Sequence, residues 1–283
     1  MAVASQCDDI DIVSVDSMQV YRHMNIGTAK PTLDEQQSVK HHLIDIVEPS
    51  EEFTVAMFQV QLDEALESIA GSHRRALLVG GTGLYHRAAV DGLDLAGSWP
   101  AIRDRLELEA DAEGTPSLHA RLTQLDPVAA DRMEPTNTRR VVRALEVIEG
   151  SGELFSSFGN GLEEYAPSEV HQVGLRWPRE VLAQRIERRV HKMMADGFLQ
   201  EVEHVLSLQP SRTACQALGY RELIEHLEGR CSFDEAVATT ISRTRQFAVK
   251  QERWFRRDPR IEWIDIEQDP VAEVGPVIIS RLP

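Results

Sequence analysis

The sequence has few cysteines and no long apolar run, and each absence excludes a class of protein. Its three cysteines, Cys7, Cys215 and Cys231, are odd in number and widely spaced, so they offer neither a disulfide framework nor a zinc-type pair. We therefore expect a reducing, cytoplasmic setting. No stretch of about 18 apolar residues occurs, which argues against a transmembrane helix, and the N-terminus lacks the basic and apolar regions of a signal peptide.

Positive charge is also scarce. The chain has 30 lysines and arginines against 46 aspartates and glutamates, for a formal net charge of −16. Proteins that coat nucleic acid need widespread basic side chains, so this balance argues against that class, although it leaves room for a local basic surface. The apolar content of 42% and charged content of 27% are ordinary for a globular protein. A length of 283 residues suffices for one large domain or two modest ones.

A short apolar run, Ile10 to Val15, ends at two polar residues, Asp16 and Ser17. The run predicts a buried strand. Ligands in open α/β sheets lie beyond the carboxyl ends of the strands, so Asp16 is a candidate catalytic carboxylate. Aspartate and serine also cap helices, and the pattern alone leaves both interpretations open.

A second predicted strand, residues 76–79, runs directly into a loop of Gly80, Gly81, Thr82 and Gly83 before a helical pattern begins. A strand, glycine loop and helix in this order expose backbone N–H groups to an anion, and Thr82 adds a hydroxyl. The loop matches neither the dinucleotide fingerprint nor the phosphate-loop pattern G-x-x-x-x-G-K-[ST], and the latter occurs nowhere in these residues.

Residues 98–167 differ in character from the rest and predict a helical insertion. Its last helix carries Arg139, Arg140 and Arg143 beside an apolar stripe. Three arginines in five residues suggest a phosphate-contacting surface, and the alternative is a solvated helix face. The polar, glycine-rich segment 151–167 predicts a loop.

The remaining patterns predict strands at 170–175 and 261–266, a helix at 180–208 that Gly197 bends or splits, and a basic helix at 233–257. Arginines interleaved with Trp254 on the last helix fit a nucleic-acid backbone, or Trp254 is an ordinary core residue. His41 and His42 point to opposite sides of an extended segment, so we expect structural roles for them. The opening nine residues resemble the end of a helix, which predicts further residues upstream, or else a frayed turn.

Six segments of the chain, in order, resemble the tRNA dimethylallyltransferase (tRNA isopentenyltransferase) family. They read VDSMQVYRHMNIGTAKP, HHLIDI, LLVGGTGLY, NTRRVVRALEV, ALGYREL and KQERWFRRDPRI. The resemblance spans about Ile10 to Asp265. It implies an α/β fold with a parallel sheet of the phosphate-loop-kinase type in residues 1–97 and 168–283, with C-terminal helices, and a tRNA-contacting helical insertion in 98–167. It also implies transfer of a dimethylallyl group from dimethylallyl diphosphate to the N6 amine of the adenosine 3′ of the anticodon.

The resemblance assigns roles residue by residue. It implies that Asp16 is the general base, that Thr82 lies at the reaction centre, and that Mg²⁺ assists the diphosphate, for which the binding residues would be Lys30, Gly80, Gly81, Thr82 and Gly83. The tRNA anticodon stem-loop, as partner of a monomeric enzyme, would contact Asp16, Ser17, Met18, Gln19, Thr82, Arg103, Arg139, Arg140, Val141, Val142, Arg143, Gln216, Gly219, Tyr220, Arg221, Lys250, Gln251, Arg253, Trp254 and Arg256.

Two departures from the family pattern affect these expectations. The family's first strand and its phosphate loop, of the form G-P-T-x-x-G-K-[ST], are absent, which would leave neighbouring strands with open edges. Gln216 stands where relatives carry Arg, and glutamine supplies no guanidinium fork; Val249 likewise replaces a basic residue. Either the natural chain continues upstream or this is a degenerate paralogue, and we expect weak or no transfer from these residues alone. The alternatives are a tRNA-binding protein without activity and a nucleotide kinase.

Overall fold

The structure is a computed structural model that describes residues 1–158, 162 and 164–282. It divides into two compact units, Met1–Val90 with Pro167–Pro283, and Asp91–Ala166. The second unit thus begins before the expected position 98. Residues 96 and 97 are attached to this unit, because their carbonyl oxygens accept hydrogen bonds from Arg143. The predicted loop 151–167 lies partly outside the described residues.

The first unit contains a three-stranded parallel sheet. Its strands are β1 (Ile10–Val15), β2 (His41–His42) and β3 (Arg75–Gly80), in the order β2-β1-β3. The central strand β1 is buried along its whole length. It pairs with β3 in a register that sets Ile10 opposite Arg75 and Val15 opposite Gly80, so the two strands end at the same level.

A second sheet of the same unit pairs β4 (Gln172–Arg176) with β5 (Ile261–Asp265), again in parallel. Within the described residues, β3 pairs only with β1 and β4 only with β5. Each therefore has one edge without a strand partner, and Val79 and Leu175 on these strands are half exposed.

Helices make up most of the remaining first unit. Their bounds are α1 (Leu33–Ser38), α2 (Val55–Gly71), α3 (Gly83–Asp91), α8 (Arg179–Ala195), α9 (Phe198–Ser207), α10 (Arg212–Cys215), α11 (Tyr220–Leu227), α12 (Phe233–Phe255) and α13 (Pro270–Arg281). Gly197, at φ 100°, separates α8 from α9 as predicted. The opening residues form only a short 3₁₀ turn at Ala4–Gln6. Among the helices described, none is long and apolar enough to cross a membrane.

The paired histidines have structural roles in the interior of the first unit. His42 Nε2 lies 2.9 Å from Oδ2 of the buried Asp11, and Arg74 Nε donates to Oδ1 of Asp11 at 2.6 Å. Burial acts to raise the pKa of Asp11, but these two hydrogen bonds outweigh it and lower the pKa. His41 Nδ1 lies 2.7 Å from the carbonyl oxygen of Val39, so neither histidine is arranged as a metal ligand.

The second unit is a small helical bundle of α4 (Pro100–Glu113), α5 (Thr115–Leu125), α6 (Pro127–Asp131) and α7 (Thr138–Ser151). Asn137 caps α7 by accepting a hydrogen bond from the N–H of Arg140. Val141, Val142 and Leu145 of α7 belong to the buried core of the bundle, together with Leu106, Leu118 and Leu122.

Asp126 and Glu146 are the buried charged side chains in the described part of this unit, and Glu146 has no solvent exposure. Its carboxylate accepts hydrogen bonds from Nε and NH2 of Arg103, at 2.9 and 3.0 Å, and from the N–H of Trp99 at 2.8 Å. Arg143 NH1 lies 3.0 Å from the same carboxylate. Burial acts to raise the pKa of Glu146, but these partners outweigh it and hold the pKa below its ordinary value of 4.5.

We expect Glu146→Ala to lower the free energy of unfolding by about 3 kcal/mol, because it leaves two guanidinium groups facing each other without their buried partner. A lowered pKa in the folded state means that Glu146 stabilises the fold above the pKa of the unfolded chain and loses this effect as the pH falls. The difference between wild type and variant in urea unfolding should therefore shrink below about pH 4.5.

Glu149→Ala is the matched control, because Glu149 lies on the same helix with 29% of its side chain exposed, whereas Glu146 is fully buried. The surface ion pairs of Glu149 predict a loss below about 1 kcal/mol. Equal losses for the two variants would show that Glu146 does not organise the bundle.

Candidate active site

The carboxylate of Asp16 lies directly beyond the end of β1. Its Oδ1 accepts hydrogen bonds from the N–H groups of Met18 and Gln19, at 2.8 and 3.3 Å, and so caps the turn that follows the strand. Within the described residues, Oδ2 has no hydrogen-bond partner. The next helix begins only at Leu33, so Asp16 caps a turn and not the helix that one interpretation predicted. One oxygen shapes this turn, while the other stays available to a ligand.

Thr82 lies beside this turn because β1 and β3 end level. The N–H of Ser17 donates to Thr82 Oγ1 at 3.1 Å, and the Thr82 hydroxyl lies 3.3 Å from Ser17 Oγ. At Gly80, the last residue of β3, the two backbones are so close that a Cβ would lie 2.1 Å from the carbonyl oxygen of Val15. Glycine at position 80 is thus required by the approach of the two strands.

The glycine loop is covered by the basic helix α12. Gln251 Nε2 donates to the carbonyl oxygen of Gly81 at 2.8 Å. A Cβ on Gly83 would meet the Trp254 ring at 2.3 Å. The structure therefore brings these two predicted RNA-contacting residues to the predicted diphosphate loop. Three further predicted contact residues are exposed, namely Lys250 and Arg253 of α12 and Arg256 directly after it.

Lys30, predicted to bind diphosphate, is placed differently. Its ammonium donates to the carbonyl oxygen of Tyr21, to Asn25 Oδ1 and to Asp45 Oδ1, at 2.7, 2.9 and 2.6 Å. An ammonium has three N–H groups, so all of them have partners inside the protein. The side chain is only 2% exposed, and this geometry does not support a diphosphate contact.

The segment that contains Gly219, Tyr220 and Arg221 divides between core and surface. The Tyr220 ring is buried against Phe198, and its hydroxyl donates to Glu201 at 2.5 Å. Burial, reinforced by the charge of Glu201, raises the pKa of Tyr220. Gly219, at φ 88°, is buried too. These two residues position α11, whereas Gln216 and Arg221 line a cavity of about 370 Å³ beside Cys215.

The predicted RNA-contacting residues of the second unit also differ in exposure. Arg139 and Arg140 are exposed near the start of α7. Val141 and Val142 are buried, so their side chains do not reach the surface. Arg103 and Arg143 are each held by Glu146, and 39% and 31% of their side chains are exposed.

Sequence reasoning missed two charged residues near the site. Glu201 of α9 accepts hydrogen bonds from the N–H groups of the segment 25–27. Arg189 of α8 interacts electrostatically with Asp16. Its side chain keeps solvent contact, but the protein atoms around the guanidinium lower the pKa of Arg189, while the charge of Asp16 acts to raise it. Residues 180–208 contain many other charged side chains, so no local signal in the sequence singles these two out.

Metal coordination by the protein alone has no basis in the part of the chain that the structure describes. No group of three or more histidine, cysteine, aspartate or glutamate side chains gathers there in a way that could hold a metal ion. The hydroxyls of Ser17 and Thr82 are 3.3 Å apart, and the carboxylate of Asp16 belongs to the residue before Ser17.

Comparison with known proteins gives the family. A model of the IPP transferase family matches residues 19–258. The tRNA dimethylallyltransferase of Pseudarthrobacter chlorophenolicus is 46% identical over 264 residues, covering 93% of this chain and 87% of the relative. The enzyme of that name from Carboxydothermus hydrogenoformans is 40% identical over 275 residues, covering 96% and 88%.

Solved structures agree with this result. The full-length tRNA isopentenylpyrophosphate transferase of Bacillus halodurans is 34% identical with a TM-score of 0.69, over 99% of this chain and 90% of that chain. A eukaryotic dimethylallyltransferase acting on tRNA, 24% identical with a TM-score of 0.77 over 98% and 75%, shares the fold. These likenesses confirm the predicted α/β class. The family match over residues 19–258 and the relatives at 40–46% identity show that the chain belongs to the IPP transferase family.

Proposed function

We propose that this protein transfers the dimethylallyl group of dimethylallyl diphosphate to the N6 amine of the adenosine 3′ of the anticodon in tRNA. The relatives that match nearly its whole length are named tRNA dimethylallyltransferases. The observation that carries the proposal is the level ending of β1 and β3, which joins the turn of Asp16 to the hydroxyl of Thr82. No feature of this site favours a kinase over a prenyltransferase.

The chemistry of transfer suits this arrangement. The adenosine amine attacks C1 of the dimethylallyl group, the N6–C1 bond forms, and the bond from C1 to the diphosphate oxygen breaks. The amine must lose a proton as it attacks, and Oδ2 of Asp16 is the oxygen available to accept it. The first-turn N–H groups of α3, which begins at Gly83, lack partners within the helix and would face the leaving diphosphate.

Magnesium would be held mainly by the diphosphate. Mg²⁺ prefers oxygen ligands and commonly binds through one or two carboxylates, waters and substrate phosphates. The hydroxyls of Ser17 and Thr82 would add oxygen ligands, and Oδ2 of Asp16 would stay free to accept the proton. A bound Mg²⁺ would offset the negative charge that develops on the leaving group.

The RNA must present its target base outside the stack, as in other enzymes that modify bases. We propose that Ser17, Met18 and Gln19, half-buried beside Asp16, line the pocket that receives the adenine. Single-stranded loops can be recognised by stacking and base-edge contacts. A protein with a net charge of −16 can therefore bind an anticodon loop with only local basic patches.

Asp16→Asn tests the role of the carboxylate, because asparagine can still accept the turn hydrogen bonds but cannot take up the proton. We expect the single-turnover transfer rate to fall by about 10²- to 10⁴-fold, while the affinity for an anticodon stem-loop stays unchanged. Asp8→Asn, at an exposed aspartate shortly before the same strand, is the control. If Asp16→Asn retains the wild-type rate, Asp16 is not the base. If the wild-type chain binds the stem-loop without transfer, the proposed function is wrong.

Salt dependence tests the proposed phosphate contacts of the second unit. Arg139→Ala and Arg140→Ala should each reduce the slope of log affinity against log salt by about 1, because each removes one phosphate contact. Arg143→Ala should leave the slope unchanged, since its guanidinium is engaged by Glu146, Ala96 and Gly97. The control is Arg281→Ala, at an exposed arginine of α13. A reduced slope for Arg143→Ala alone would reverse the assignment.

A further inference from the structure

We propose that Lys30 and Asp45 are a positioning pair that holds the adenine end of the site, rather than a part of the diphosphate site. This inference rests on the proposed function, because it takes Gln19 to lie beside the target adenine. Neither residue contacts the reacting atoms in this assignment. Their effect passes through the segment Asn25–Lys30 and through the backbone of Gln19.

The pair joins two segments that are distant in sequence. Lys30 Nζ and Asp45 Oδ1 are 2.6 Å apart, and the lysine side chain is 2% exposed. Burial acts to lower the pKa of Lys30, while Asp45 opposes this. Withdrawing the ammonium toward a ligand would leave the carboxylate of Asp45 and the carbonyl oxygen of Tyr21 without their donor, and that loss is costly for partly buried polar groups.

Asp45 also bonds directly to the backbone of Gln19. The N–H of Asp45 donates to the carbonyl oxygen of Gln19 at 3.2 Å, and its own carbonyl oxygen accepts from Arg22 Nε at 2.9 Å. Asp45 adopts φ 55°, an uncommon conformation for a residue other than glycine. Such strain persists where surrounding contacts over-determine the backbone, and these hydrogen bonds provide that constraint.

The segment held by Lys30 in turn fixes the side chain of Gln19. Gln19 Nε2 donates to the carbonyl oxygens of Thr28 and Ala29 at 3.2 and 3.4 Å, and its Oε1 accepts from Ser14 Oγ at 2.8 Å. Both ends of the amide therefore have assigned partners, which gives the side chain one orientation.

Glu201 anchors the other end of the same segment. Its carboxylate accepts hydrogen bonds from the N–H groups of Asn25, Ile26 and Gly27, at 2.9, 2.8 and 3.0 Å. The segment is thus held by one carboxylate at its start and by Lys30 at its end. The buried ammonium of Lys30 connects this segment to Asp45, whose N–H is hydrogen-bonded to the carbonyl oxygen of Gln19.

The test compares Lys30→Met, Asp45→Asn and the double variant by two measurements. The first is the affinity for a fluorescent anticodon stem-loop with the target adenosine, divided by the affinity for the same RNA with an abasic nucleotide at that position. We expect each single variant to lower this ratio about tenfold, since small displacements of a positioned group reduce its effect strongly. The double variant should lower the ratio no further, because both changes break one interaction.

The second measurement is amide hydrogen exchange. Exchange in residues 19–30 should accelerate in Lys30→Met and in Asp45→Asn, and should not change in the controls Lys192→Met and Asp196→Asn. These control residues form a pair of the same type that is exposed on α8 and at its end. Circular dichroism confirms that each variant is folded before comparison.

The outcomes separate this inference from the proposed function. A ratio that falls for Lys30→Met but not for Asp45→Asn, or losses that add in the double variant, would overturn the positioning pair. So would unchanged exchange in residues 19–30. A wild-type chain that does not distinguish the adenosine from the abasic RNA would instead contradict the proposed function, and the base-positioning role with it.

Discussion

The parallel pairing of β1 with β3 is the constraint on which the candidate site depends. With Val15 opposite Gly80, the two strands deliver Asp16 and Thr82 to the same level of the sheet, although the residues are far apart in sequence. Strand β1 is buried along its whole length, and a shift of register would separate its buried Asp11 from Arg74, which directly precedes β3. These buried contacts hold the register, so the geometry of the candidate site follows from core packing before any ligand binds.

Helix packing sets the glycine positions that surround this pairing. The Trp254 ring occupies the space that a side chain on Gly83 would need, and Phe198 and Tyr220 do the same at Gly27. The loops therefore lie directly on aromatic side chains of α9, α11 and α12. Close approach of backbone to ring leaves little freedom for either loop, so packing organises both loops before any ligand binds.

Sequence reasoning found the strand ends and the glycine loop because apolar runs and glycines are local signals. It failed for Lys30 and Tyr220, whose roles depend on partners that only the fold brings close. The arginines of α7 also show that side-chain partners cannot be predicted from the sequence. Arg139 and Arg143 look alike in sequence, yet of these two only Arg143 is bound by Glu146. A glutamate inside the apolar stripe of α7 was the available sign, because a buried carboxylate needs hydrogen-bond donors and nearby arginines can supply them.

Several acidic side chains of this chain have a structural role. Asp11, Asp45, Glu146, Glu201 and Glu222 each hold a cation or a row of N–H groups within a unit of the structure. Carboxylates used in this way orient arginines, lysines and backbone segments without presenting their full charge to solvent. Recognition of RNA then depends on where a few cations remain exposed rather than on their total number, because each phosphate contact is made locally. A negative net charge and a nucleic-acid substrate are consistent on this basis.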